Sequence, residues 1–118
     1  MNKKIGEKIV VLCDEHLPCI PDFTALVVLE EYCGDSIVQI FDRVSKSIIK
    51  VKDVSAIIFA CHKSKVPTTK HTFHSIGELV VEHGLSDAVI QAVDLIKNVL
   101  GSKEKKTQAA DPSKPSSE

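Results

Sequence analysis

The chain reads as an α+β domain that is mostly α: an N-terminal β-hairpin packed on about five short helices, followed by a disordered C-terminal tail. Three observations lead there. Ile9 to Leu12 is an apolar, β-branched run with no helical period, and Pro18 and Pro21 close the stretch after it. Downstream, apolar residues recur at spacings of three and four between Asp, Ser and Gly boundary residues, which is the pattern of capped amphipathic helices. From Ser102 the sequence SKEKKTQAADPSKPSSE offers no large apolar residue, so burial cannot offset the entropy of ordering it. Residues 1–101 are therefore expected to form a single domain and residues 102–118 a disordered tail.

Taken in order, Ile9 to Leu12 forms one strand, Asp14, Glu15 and His16 interrupt it as a turn, and Leu17 to Ile20 returns as an edge strand. Asp22 caps a helix reaching Cys33, with Phe23, Leu26, Val27, Leu29 and Cys33 facing inward and Gly34 as the stop. Glu30 falls on the side of Phe23 and Leu26. It must reach the rim or accept from a basic side chain or a neighbouring helix N-terminus, because a buried unpaired carboxylate costs several kcal/mol. The next helix opens at Asp35 or Ser36, with Ile37, Ile40, Phe41, Val44 and Ile48 on one face. It carries Arg43, the only arginine, which reads either as a partner of Glu30 or Glu31 or as a solvated side chain. Asp53 then caps an almost wholly apolar helix bearing Val54, Ile57, Ile58 and Cys61, expected to be the most buried of the set.

The stretch Thr72 to Gly101 is the most clearly bounded, and everything upstream is expected to pack on it. Its first helix starts at Thr72, or at Ser75 if Ser75 and Glu78 form a capping box, presents Ile76, Leu79 and Val80, and ends at Gly84 with His83 in its last turn. In the second, Ser86 is the expected cap and Leu85 staples onto Ile90. Its apolar arc spans roughly 220°, about twice what one core contact needs. That width fits either a central core helix or a helix with a second surface. In the latter reading Val89, Ala92, Val93 and Ile96 pack inward. Ile90 and Leu95 lie at the edges and, with Val99 and Leu100, form a partner-binding face.

With 15 Lys+Arg against 16 Asp+Glu the formal charge is -1. No electrostatic footprint for nucleic acid or an anionic membrane follows, no apolar run spans a bilayer, and a cytoplasmic protein partner is the expectation. No phosphate loop, nucleophile elbow or paired-carboxylate pattern occurs, so the residues give no positive sign of an enzyme and no cofactor is expected. Cys13, His16 and Cys19, with His71, supply enough side chains for a tetrahedral metal or thiol module, although the spacing suits a strand pair better than a metal knuckle. Cys61 and His62 are adjacent on a helix and point about 100° apart, which precludes a nucleophile–base pair.

The order FTALVVLEEYCGDSIVQIFDRV, VSAIIFACHKS and FHSIGELVVEHGLSDAVIQAVDLIKNVLG resembles the tail assembly chaperones of long-tailed bacteriophages, especially the form carried by gene transfer agents. The matching residues are Gly6 and Glu7; Leu29, Glu30, Glu31 and Gly34; Ala60; and Glu78, Leu79, Val80, Gly84 and Leu85. The resemblance covers roughly residues 5–101 and consists of patterning and a few glycines. Cys61-His62 stands where the family often has Gly-Leu, and the expected turn lacks the family's glycine. The resemblance implies a non-enzymatic protein that binds and solubilises the long helical tape measure protein and helps recruit tail tube protein. It also implies self-association in the host bacterial cytoplasm and absence from the finished particle. A metal or thiol module, or a helical adaptor of host origin, are the other readings the residues admit.

Overall fold

The computed structural model describes residues 7–108. An antiparallel hairpin, β1 (Lys8–Leu12) and β2 (Glu15–Cys19), precedes five helices: α1 (Phe23–Cys33), α2 (Ile37–Ser45), α3 (Val51–Lys65), α4 (Phe73–His83) and α5 (Leu85–Gln108). The expected architecture is therefore present. The hairpin turn is Cys13-Asp14, not Asp14 to His16: both residues have positive φ, 51° and 71°, the requirement of a two-residue type I′ turn. The missing glycine hid this turn, because cysteine seldom occupies a left-handed position.

The centre of the fold is α3 and not the α4–α5 pair. Ten consecutive residues, Asp53 to His62, are buried, and α1, α4, α5 and β2 all pack around them. Such a helix has no solvent face, which is why it shows no amphipathic stripe. Its start also differs from expectation. Lys50 is the N-cap, and Asp53 sits three residues inside, accepting from the Lys50 amide at 3.0 Å as the third-residue half of a capping box.

Caps fix the other boundaries. Asp22 accepts from the Ala25 amide at 3.0 Å, and Gly34 closes α1 at φ 75°. Ser36 and Gln39 cap α2 reciprocally, while Ser47 at φ 60° ends the helical path before Ile48, which is exposed instead of facing inward. Thr72 and Ser75 cap α4, so Thr72 is its start. The expected Ser86 cap is absent, because α5 begins directly at Leu85 after Gly84, whose φ of 119° makes the turn between the two helices. Leu85 and Ile90 are both exposed, so no staple holds them.

Two helix faces are rotated from their expected orientation. In α1 the inward stripe is Ala25, Leu29 and Cys33; Phe23 is 80% exposed and Val27 also faces out. The helix is apolar nearly all round, and the small Ala25 and Cys33 let it lie close along α3. In α5 the inward stripe is Ala88, Ala92, Leu95 and Ile96, while Val89 and Val93 are only half-buried. At 100° per residue this is a rotation of about 65° from the expected stripe. The helix also continues past Gly101 to Gln108, through the first part of the expected tail. Residues 109–118 and Gly6 lie outside the described residues.

The rotation of α5 has a polar cause. Gln91 donates to the Val11 carbonyl at 2.8 Å and accepts from the Val11 amide at 2.9 Å, so one side chain pairs both backbone groups on the open edge of β1. Lys8 meets Asp94 at 2.9 Å. The Cys13 amide donates to His83 Nδ1 at 3.0 Å, which places the ring proton on Nε2, facing Asp87 Oδ2 at 2.6 Å. Gln91 and Asp94 thus attach α5 to the hairpin, and the exposed Asp87 is linked to it only through His83.

Candidate protein-binding groove

Of the expected partner-binding residues on α5 whose side chains are described, only Ile90 stands clearly in solvent, at 65%. Leu95 is fully buried and belongs to the core: turning the polar flank toward β1 carries Leu95 inward with Ala92. Val99 is half-buried, and the side chain of Leu100 lies outside the described residues. What remains on α5 is a shallow depression bordered by Val89, Ile90, Val93 and Lys97.

A larger concavity, which the sequence analysis did not identify, lies between α3 and α4. It is an open groove of about 940 Å³. The two helices run antiparallel through the loop 66–72, so Phe59 stands near Phe73, with ring centroids 6.4 Å apart, and Ser55 opposes Gly77. Phe73, Val51 and Val81 give the groove its apolar surface, the two valines 45% and 65% exposed. Tyr32 packs against Phe73 at 5.2 Å and extends the apolar strip beyond one end. Lys52 stands on the α3 wall; His74, Glu78 and Glu82 stand on the α4 wall.

The floor has two unusual members. Gly77 sits in mid-helix with no positive φ, and a Cβ there would meet Ser55 Oγ at an ordinary 3.5 Å. Alanine would therefore fit, and glycine in a helix interior costs roughly 0.5–1 kcal/mol relative to it. The Ser55 hydroxyl is buried beside it with no hydrogen-bond partner among the described residues.

The polar pair singled out in the sequence is structural. Glu30 is exposed and accepts from the Ile37 amide, the first residue of α2, at 2.8 Å, as the helix N-terminus alternative anticipated. Arg43 pairs with neither Glu30 nor Glu31. It makes a two-point contact with buried Asp53, at 2.9 and 2.7 Å, and reaches Asp35 at 2.9 Å. This ties α2 to the start of α3.

The metal or thiol alternative loses its geometry. His16 and Cys19 are three residues apart on one strand and so point to opposite faces. His16 is exposed, whereas Cys19 is buried with Sγ toward the Leu17 and Ile58 carbonyls. The Cys13 thiol faces the Leu79 carbonyl, and both His71 nitrogens are engaged, by Ser75 and Glu15. Among the described residues no group of three or more His, Cys, Asp or Glu converges for a metal. Burial pushes the Cys19 thiol up to about 12; burial, then the neighbouring Asp53 carboxylate, does the same to Cys33, so neither is an ionised nucleophile near neutral pH. His62 bonds the Pro18 carbonyl at 2.9 Å and Thr69 Oγ1 at 2.7 Å, a buried histidine with both nitrogens satisfied.

Compared with known proteins, the chain matches no family model, no curated protein and no solved structure. Among the described residues no helix is long and apolar enough to cross a membrane.

Proposed function

We propose that this protein is a non-enzymatic chaperone that binds an apolar helical client, acting as a tail assembly chaperone for a phage-type tape measure protein in the bacterial cytoplasm. The observation that carries the reading is the open groove between α3 and α4, whose apolar strip runs from Phe73 to Val81, eight residue steps along α4. At 1.5 Å per residue that is about 12 Å, the length of a three-anchor stripe on two turns of a partner helix. An apolar groove walled by charged side chains suits a protein that keeps a long helix soluble without enclosing it.

Many copies on one long client imply contact between copies, and Ile90 on α5 is the residue assigned to that contact, since its depression shares no residue with the groove. Recruitment of tail tube protein belongs to the same reading and rests on the resemblance of the sequence alone. Co-expression tests the function directly. A tape measure protein that is insoluble alone is expected to become soluble and co-elute with this chain; a client equally insoluble with and without it contradicts the proposal.

A further inference from the structure

We infer that the groove between α3 and α4 selects one kind of helix: an apolar stripe interrupted at its centre by a small residue, flanked on one side by lysine or arginine. The inference rests on the chaperone reading above and specifies the chemistry of the client segment at the same groove.

The small central residue follows from the floor. Gly77 occupies a helical position where alanine would fit the fold and improve helix stability, so the missing side chain leaves space that the fold itself does not require. A helix lying over Gly77 and Ser55 can approach closely only if it brings Gly, Ala or Ser to that point, as at any close helix crossing. Larger apolar anchors one turn to either side then meet Phe73 at one end and Val51 with Val81 at the other.

The basic flank follows from the walls. Glu78 and Glu82 are one helical turn apart on the exposed edge of α4, and like charges at that spacing repel. Among the described residues Glu78 pairs with the highly exposed His74, a contact worth little. A cationic residue on the client relieves that repulsion, whereas Lys52 on the opposite wall disfavours a second cation there. The groove therefore sets the direction of the bound helix as well as its composition.

The test uses stapled helical peptides of about 15 residues, since shorter unstapled helices are marginal in water. One carries two leucines one turn either side of a central alanine, with lysines on one flank; a second replaces the lysines by glutamates; a third replaces the central alanine by leucine. With the full chain at low salt, the first is expected to bind about tenfold or more tighter than either other. Gly77→Met is expected to remove that binding while keeping or raising the melting temperature, and Val81→Asp, at an exposed position, to weaken it independently. Equal affinity for the lysine and glutamate peptides, or for the alanine and leucine peptides, overturns the inference. A wild-type chain that solubilises its client but shows no peptide preference overturns this inference and leaves the chaperone reading standing. A peptide preference with no client solubilised does the reverse.

Discussion

Arg43 and Asp53 are ten residues apart, and their pairing is the contact that joins α2 to the central helix. Removing Arg43 leaves the buried Asp53 carboxylate without its charged partner, so Arg43→Ala should lower stability by about 3 kcal/mol in chemical denaturation. Burial alone would raise the Asp53 carboxyl; the Arg43 hydrogen bonds and the Lys50 amide outweigh it and hold the group below its ordinary 3.8. Hydrogen bonds from His83 and Gln91 do the same for Asp87, and Lys8 does so for Asp94. A carboxylate with a lowered folded-state pKa adds stability that is fully present above 3.8 and lost as pH falls below it. Melting temperatures should therefore drop as pH falls from about 4 toward 2.5, and Asp53→Asn should flatten that drop. A slope unchanged in the variant would remove Asp53 from the account. None of this pairing was legible beforehand, because Asp53 follows an extended segment and precedes an apolar run, the usual signature of a cap. The Glu30 contact was legible as one of three alternatives, since its position on α1 left the rim, a basic side chain or a helix N-terminus within reach.

Among elements, α5 shows most clearly where periodicity stops being informative. Periodicity and the expected Ser86 cap located the helix and its start to within two residues, but its facing is decided by the amide of Gln91, which closes the β1 edge at Val11. An apolar count does not say where the polar residues point, and two of them, Gln91 and Asp94, face the hairpin. Gln91→Leu should cost about 1–2 kcal/mol and speed hydrogen exchange at the Val11 amide, because both edge groups lose their partner. The same rotation reverses the roles of two apolar residues. Leu95→Gln should destabilise the domain by about 2 kcal/mol or more, as a core substitution, while Ile90→Ser should leave the thermal melt nearly unchanged. Equal melts for these two variants would contradict the orientation of the helix. The buried character of α3 was legible from its composition, and its central position was not, since an all-apolar helix does not announce how many neighbours surround it.

At the scale of the whole molecule, the hairpin and five helices leave an apolar groove between the central helix and α4, on a protein whose formal charge is -1. The amino-acid sequence points to a partner face on α5 because a wide arc is visible in one helix, whereas a groove is shared by two and appears only when both are placed. Mid-helix Gly77 and the adjacent Val80 and Val81, which point to different sides of α4, were the available signals. The central claim is that this groove, and not the α5 face, holds the client. Co-elution of the tape measure protein with Val81→Asp and Ile90→Asp variants, both at exposed positions and both checked by thermal melts, tests it most directly. Val81→Asp is expected to lose the client with its melt unchanged, and Ile90→Asp to retain it. Client lost with Ile90→Asp and retained with Val81→Asp would contradict the account and return the binding face to α5.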